Sequence, residues 1–361
     1  MSTEIRALVS PGEVRVAVIV NGILQDFAIW RPGNPDGVDD LYRGRVRAVA
    51  PPLAGCFVDL GGQDGFLPDS EGGKGLTEGD SIGVRVSRAA QAGKGARLTA
   101  RGVTLPPGPA GLVARGPGSL RELAALHPDA KILIDNAALC ALLRPEFHSR
   151  LKLVQQAFDD ELAAEVEGLF DICVPLPGGG EIFIEPTRAL VAIDVDSGLG
   201  GGRAGRLSSH MAANRAMLPE LVRQIRLRDL AGLILVDFAG LPPGRRISMA
   251  PELAALLEKD PRAPRLVEFT ELGMAEILRT RRHPPLHELI RGPHAAALRA
   301  LREAAQHPRA RLRLRALPAI VAALESDPVA LQALAHDTTY PLQLVATPGL
   351  QAPGYVIEDV E

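Results

Sequence analysis

Two stretches interrupt the ordinary hydrophobic pattern of the chain. Val191-Ala192-Ile193-Asp194-Val195-Asp196 and Leu233-Ile234-Leu235-Val236-Asp237-Phe238 are apolar runs of strand length that carry acids. Such runs read as buried strands, where an unpaired carboxylate is costly. Between them an amphipathic helical pattern runs from about Ser209 to Leu227, with an interruption expected near Pro219. Strand, helix, strand is the order of a βαβ-like unit and favours an α/β domain.

The remaining periodicities divide the chain further. Val14, Val16 and Val18 alternate, Asn21-Gly22 is a turn, and Ile23 to Trp30 continues in extended form. Residues 39–101 hold five short strands separated by glycine turns, the signature of a small closed barrel. Residues 102–118 are a Gly/Pro-rich connector with one strand from Gly111. Residues 119–181 return to mixed helix and strand. Residues 291–361 read as helices followed by two strands, with Arg309 to Arg315 alternating arginine and apolar residues so that one face is cationic.

Composition narrows the class. With 361 residues the chain has room for two or three domains, and its formal charge of −3 confines any nucleic-acid site to a local patch. Cys56, Cys140 and Cys173 lie far apart and form no C-x-x-C pair, so neither zinc nor a disulfide framework is indicated. That pattern, the absence of a signal-peptide-like start and the absence of a long apolar span lead us to expect a cytoplasmic protein that does not enter membranes.

Candidate chemistry follows from side chains in context. Asp194, Asp196 and Asp237 read either as strand-end caps or as ligands of a hard cation, since Mg²⁺ takes carboxylates and water. In the barrel segment Arg43, Arg97 and Lys94 interleave with Tyr42, Phe57 and Phe66, the mixture that single-stranded RNA binding uses. Phe57, inside Cys56-Phe57-Val58, is expected in the barrel core; Phe66 is open between core and platform. Arg223, Arg226 and Arg228 close a helix, where the macrodipole favours cations. The glycine-rich loop 198–205 lacks a phosphate-loop signature and reads as a surface loop.

Several motifs together resemble the ribonuclease E/G family. Ala189 to Ser197 is similar to its catalytic strand, and Arg223-Gln224-Ile225-Arg226-Leu227-Arg228-Asp229-Leu230 running on to Phe238 is similar to its most specific motif. Leu41 to Val46, Ala54 to Leu60, Gly65 to Pro68, Lys94 to Thr99, Ile132 to Asn136 and Pro353-Gly354-Tyr355 also fit. The resemblance implies an α+β multidomain fold. An RNase H-like domain (1–38 and 119–181) is interrupted by an OB-fold barrel (39–101). A reduced 5′-sensor connector (102–118), a deoxyribonuclease-I-like catalytic domain (182–290) and a small C-terminal domain (291–361) complete it. It implies an Mg²⁺-dependent endoribonuclease acting on single-stranded RNA in rRNA, tRNA or mRNA maturation or decay, leaving 5′-phosphate and 3′-hydroxyl ends. Asp194 and Asp237 fall on its metal ligands, with Asp196 in the catalytic set. Phe66 and Lys94 fall on RNA-gripping positions, and Arg97, Arg43, Arg226, Arg228 and Arg281 extend the RNA contacts. Arg115 falls on the arginine of the 5′-phosphate pocket.

The chain also departs from that family. Asp196 stands where an asparagine is usual, Gly116 where a threonine is usual, and no C-x-x-C follows His283-Pro284-Pro285-Leu286. Any homo-oligomer is therefore expected to form without a structural zinc link. An RNA-binding protein of the same fold with lost or weak catalysis is the alternative.

Overall fold

Four β-sheets form among the described residues of the computed structural model, which are 2–360 apart from 92, 107, 177–178, 197, 199–205 and 239. The first sheet holds Thr3–Ser10, Glu13–Val20 and Ile23–Trp30, extended by Lys131–Ile134 and Leu151–Leu153. Asn21 and Gly22 both take positive φ (51° and 82°), the conformation that a two-residue hairpin turn requires. The chain leaves this sheet after Trp30 and returns with Lys131–Ile134, parallel beside Thr3–Ser10. Helices Gly118–Leu126 and Ala137–Phe147 cover one face and Asp160–Gly168 the other.

The inserted segment closes a five-stranded barrel. Leu41–Ala50 pairs with both Gly55–Asp59 and Ser81–Arg88, and Asp64–Pro68 and Ala96–Thr99 complete the circuit. Tyr42, Val46, Cys56, Val58, Leu67, Val84, Val86 and Leu98 fill it. Gly44 is required by packing, because a Cβ there would lie 2.3 Å from a methyl of Val58. Gly111–Ala114 adds to the outside of Leu41–Ala50.

The third sheet contains the two acidic strands. Its order is Cys173–Pro175, Glu181–Pro186, Val191–Asp196, Gly232–Phe238, Ala275–Arg279, Arg265–Phe269. Val191–Asp196 and Gly232–Phe238 are parallel neighbours joined through helix Arg206–Leu227, as the βαβ pattern predicts. That helix runs unbroken through Pro219. The interruption expected there does not occur, because Met217, Leu218, Leu221, Val222 and Ile225 bury against the sheet and offset the lost backbone bond. Gly198 apart, the glycine-rich loop 198–205 lies outside the described residues.

Residues 292–359 form the last unit. Leu312–Ala316 lies between Gln343–Ala346 and Tyr355–Asp359, packed on helices Gly292–Ala304, Pro318–Glu325 and Pro328–Asp337. Leu312, Leu314 and Ala316 point into this core while Arg313 and Arg315 stay partly exposed, as their alternation predicts. Among the described residues no helix is long and apolar enough to cross a membrane.

A charged clamp fixes the barrel to the other units. His283 Nδ1 lies 2.6 Å from Asp36 Oδ2 and its Nε2 3.0 Å from Glu122 Oε2. Arg282 reaches the same Glu122 at 3.1 Å and also pairs with Asp39. The backbone N–H of Ala89, at the end of a barrel strand, donates to Arg282 O (2.9 Å). Burial alone pushes His283 down, but hydrogen bonds and charge from Asp36 and Glu122 prevail and raise it to about 9. Burial raises Glu122, yet His283 and Arg282 carry it down to about 2.

A histidine raised in the folded state stabilises fully below its unfolded value of 6.5 and loses that contribution as pH climbs through about 9. The depressed Glu122 contributes fully above 4.5 and loses its contribution as pH falls through about 2. The clamp is therefore complete between those limits. His283→Asn is expected to cost about 2 kcal/mol at mildly acidic pH, measured by denaturant unfolding. The deficit should narrow as pH rises through about 9; a deficit independent of pH there would contradict a charged clamp.

Candidate functional site

Side-chain alternation decides where the acids point. Val191, Ile193, Val195, Ile234, Val236 and Phe238 are buried beneath helices Arg206–Leu227 and Ala250–Leu257. Asp194, Asp196 and Asp237 occupy the intervening positions, so they lie on the open face of the sheet and not in the core that the apolar runs suggested. In the parallel register Asp194 stands opposite Asp237. Both are near the C-terminal ends of their strands, where sites of α/β sheets gather.

The electrostatics of the pair suit a cation. Desolvation first, then the charges of Asp237 and Asp196, push the Asp194 carboxyl above the usual range. Arg246 already meets Asp237, with Nη1 on its Oδ1. The guanidinium is held there by Nε donating to Leu241 O (2.8 Å) and Nη1 to Gly273 O (3.4 Å). Sequence reasoning missed Arg246, because one arginine in a Pro/Gly turn has no spacing signature. Asp196 Oδ1 accepts from Gly198 N (3.0 Å), so one oxygen caps the turn leaving the strand. Among the described residues no group of three His, Cys, Asp or Glu side chains forms a metal cluster. Two carboxylates on an open face nevertheless fit Mg²⁺, which keeps several waters and uses one or two protein carboxylates.

The barrel presents a second surface. Phe57 is 37% exposed and packs edge-to-face on Phe66, centroids 5.4 Å apart. The expectation that Phe57 lies in the core fails for a simple reason: Cys56 and Val58 point inward, so the residue between them points out. Phe66 neighbours Arg97 on the next strand, and Lys94 is exposed in the turn just before Arg97.

Three other residues expected on the RNA path, Arg226, Arg228 and Arg43, have partners within the chain. Arg226 forks onto Asp26 of the first sheet with two nitrogens. Arg228 is 6% exposed and donates to Gln224 Oε1, Asp171 O and Gly168 O. Both fasten helix Arg206–Leu227 to neighbouring elements and do not reach toward a ligand. Arg43 donates to Pro106 O (2.9 Å) and Pro109 O (3.3 Å), tethering the connector. Arg281 pairs with Glu288 at 3.3 Å beside the barrel. The structure thus brings together Asp194, Asp196 and Asp237 in one place and Phe66, Lys94 and Arg97 in another.

Arg115 has an internal partner. Asp40, 2% exposed, accepts from Arg115 Nη1 (2.6 Å) and from Gly116 N (2.7 Å). One carboxylate of the chain thus bridges that guanidinium and the next backbone N–H. A Cβ on Gly116 would lie 2.1 Å from Val38 O, so the close approach excludes threonine.

Comparison with known proteins points one way. Residues 122–282 match the family described as Ribonuclease E/G family. Ribonuclease E of Escherichia coli (strain K12) is 25% identical over 387 residues, covering 76% of this chain and 36% of that protein. Ribonuclease E of Synechocystis sp. is 36% identical over 121 residues, 33% of this chain and 18% of that protein. Ribonuclease G of Escherichia coli (strain K12) is 23% identical over 402 residues, covering 80% of this chain and 82% of that protein. Against the Escherichia coli and Haemophilus influenzae ribonucleases E, the chain spans only 36% and 41% of their lengths.

Gly116→Thr is expected to destabilise the chain by about 2 kcal/mol or more through overpacking against Val38. Thermal unfolding measures it, and a neutral effect would show that the connector yields easily.

Proposed function

We infer that this chain, which belongs to the ribonuclease E/G family, is an endoribonuclease that hydrolyses single-stranded RNA with the help of Mg²⁺. The observation that carries the reading is the register of Asp194 against Asp237 on an open sheet face. In this reading residues 1–38 with 119–181 are an RNase H-like domain, 39–101 an OB-fold RNA-binding domain, 102–118 a reduced sensor, 182–290 a deoxyribonuclease-I-like catalytic domain and 291–361 a small C-terminal domain. Its substrates are rRNA, tRNA or mRNA in a cytoplasmic setting, and its products carry 5′-phosphate and 3′-hydroxyl.

Bound between Asp194 and Asp237, Mg²⁺ would supply a lowered water pKa and neutralise charge on the phosphoryl oxygens. The chain provides the rest. Arg246 holds one oxygen of Asp237, Oδ1, beside Asp194 in the register. Buried Ile193, Val195 and Val236 hold both strands rigid beneath the site. Phe57 and Phe66 offer aromatic faces on which unpaired bases stack, and Lys94 and Arg97 meet the backbone. This arrangement selects single strands, because bases in a duplex present no free face.

A second reading rests on Asp196 and Arg246. One oxygen of Asp196 is spent on Gly198 N, and a guanidinium already neutralises Asp237. Both features suit a protein that binds RNA but cuts it poorly.

Incubation of the full chain with a 5′-labelled A/U-rich single strand, with Mg²⁺ or EDTA, separates the two. Cleavage is expected with Mg²⁺ alone, and Asp194→Asn or Asp237→Asn should lower the rate by about 100-fold or more. Cleavage by the variants at the rate of the unaltered chain would remove these acids from the mechanism. Phe57→Ala and Phe66→Ala are each expected to weaken RNA binding by about 1–3 kcal/mol, read by fluorescence anisotropy. Unchanged affinity would place the bases elsewhere.

A further inference from the structure

One row of side chains crosses the outside of the barrel. Phe57 stands opposite Phe66, Phe66 beside Arg97, and Arg97 opposite Arg88 in the pairing register. Val58, Leu67 and Leu98, next to Phe57, Phe66 and Arg97 in sequence, lie in the barrel core, so these three face out, and the register shift between Val86 and Arg88 sets Arg88 opposite Arg97. Adjacent strands are about 4.8 Å apart, and two aromatic rings are thus followed at once by two guanidiniums. The stretch 280–285 abuts the end of this row, because the N–H of Ala89 donates to Arg282 O (2.9 Å). Arg281 is thereby brought up to the barrel.

The charges in this corner do not balance. Among the described residues neither Arg88 nor Arg97 has a side-chain hydrogen bond or a carboxylate partner. Glu288, the acid that Arg281 meets at 3.3 Å, also accepts from Gln91 Nε2 (3.1 Å). Burial and then the like charges of Arg97 and Arg281 hold Arg88 below the ordinary arginine range. Several buried or half-buried guanidiniums elsewhere are met by acids, as with Arg226 on Asp26 and Arg279 between Asp229 and Asp260. A half-buried cation beside two others and without a counter-ion costs stability in the free protein. An external anion would relieve it.

We propose that Arg88, with Arg97 and Arg281, forms a seat for a backbone phosphate of single-stranded RNA at the seam between the barrel and the stretch 280–285. The proposal rests on the reading of the chain as RNA-binding and extends it, since it assigns Arg88 a role and gives the aromatic ledge a fixed end. Stacking on Phe57 and Phe66 tolerates sliding, whereas a phosphate held by convergent guanidiniums sets the register of the strand. The seat lies beside the stretch that follows the third-sheet strand Ala275–Arg279.

The test compares the full chain with Arg88→Gln and Arg88→Lys, in EDTA so that no cleavage intervenes. Anisotropy with a fluorescein-labelled single-stranded RNA is followed across KCl concentrations, and thermal unfolding with and without inorganic phosphate. Arg88→Gln is expected to unfold no lower than the unaltered chain, to bind RNA about fivefold more weakly at low salt, and to lose about 0.7 from the salt slope. Arg88→Lys should keep the slope, and phosphate should raise the unfolding temperature of the unaltered chain more than that of Arg88→Gln. Tight RNA binding by the unaltered chain with the same affinity and slope in Arg88→Gln would overturn the seat alone. Phosphate stabilisation lost in Arg88→Gln without any change in RNA affinity would overturn its assignment to RNA. Failure of the unaltered chain to bind RNA at all would overturn the broader reading together with the seat.

Discussion

Burial of one face of the Val191–Asp196 and Gly232–Phe238 pair beneath helix Arg206–Leu227 is the constraint on which the rest depends. Once Ile193, Val195, Val236 and Phe238 are fixed in that core, the period of two leaves Asp194 and Asp237 no choice of face. The parallel register then sets them side by side. Two like charges at roughly 5 Å repel by about 3 kcal/mol in an environment of intermediate polarity. That is a sizeable share of the net stability of an ordinary domain, and it is tolerable only beside compensating positive charge. Arg246 supplies part of it on the Asp237 side. The remaining tension is the physical basis of the cation site proposed for this pair.

Arginine has two opposite uses in this chain. Arg223, Arg226, Arg228 and Arg279 lie in or near the core and each is met by carboxylates or carbonyls. They sew the helix and the third sheet to the first sheet, and Asp26 and Glu165 complete the seam. Arg88 and Arg97 sit on the barrel with no such partners. The first group gives the molecule its relative arrangement, and the second leaves positive charge for a ligand.

The barrel is inserted into the first sheet and so enters and leaves through neighbouring linkers. Glu13 shows how firmly the surroundings are held: 3% exposed, it receives Arg15, Arg31 and Arg302 from three parts of the chain. Those guanidiniums keep its carboxyl below the usual range despite burial. Glu13 thus ties the first sheet to helix Gly292–Ala304, while the His283 clamp and the Ala89 N–H to Arg282 O bond tie the barrel to the stretch that follows the third sheet. Asp40 belongs to the same linker, and by accepting from Arg115 and Gly116 it braces the connector against the linker.

The amino-acid sequence by itself determined the strands, the barrel, the crossover helix and the identity of the two acids. Each of these follows from local periodicity, turn chemistry or a short motif, and local signals survive in one dimension. It could not settle whether Phe57 points in or out or whether Pro219 breaks its helix, nor that Arg226 meets an acid of the first sheet and Arg228 two backbone carbonyls. Those outcomes depend on partners far away in the chain: Asp26 lies 200 residues before Arg226, and the stretch with Arg281 is brought up to the barrel where Ala89 N–H donates to Arg282 O. Tertiary structure decided them because the free energy of a charged or aromatic side chain is set by what surrounds it, and the surroundings are assembled only by folding.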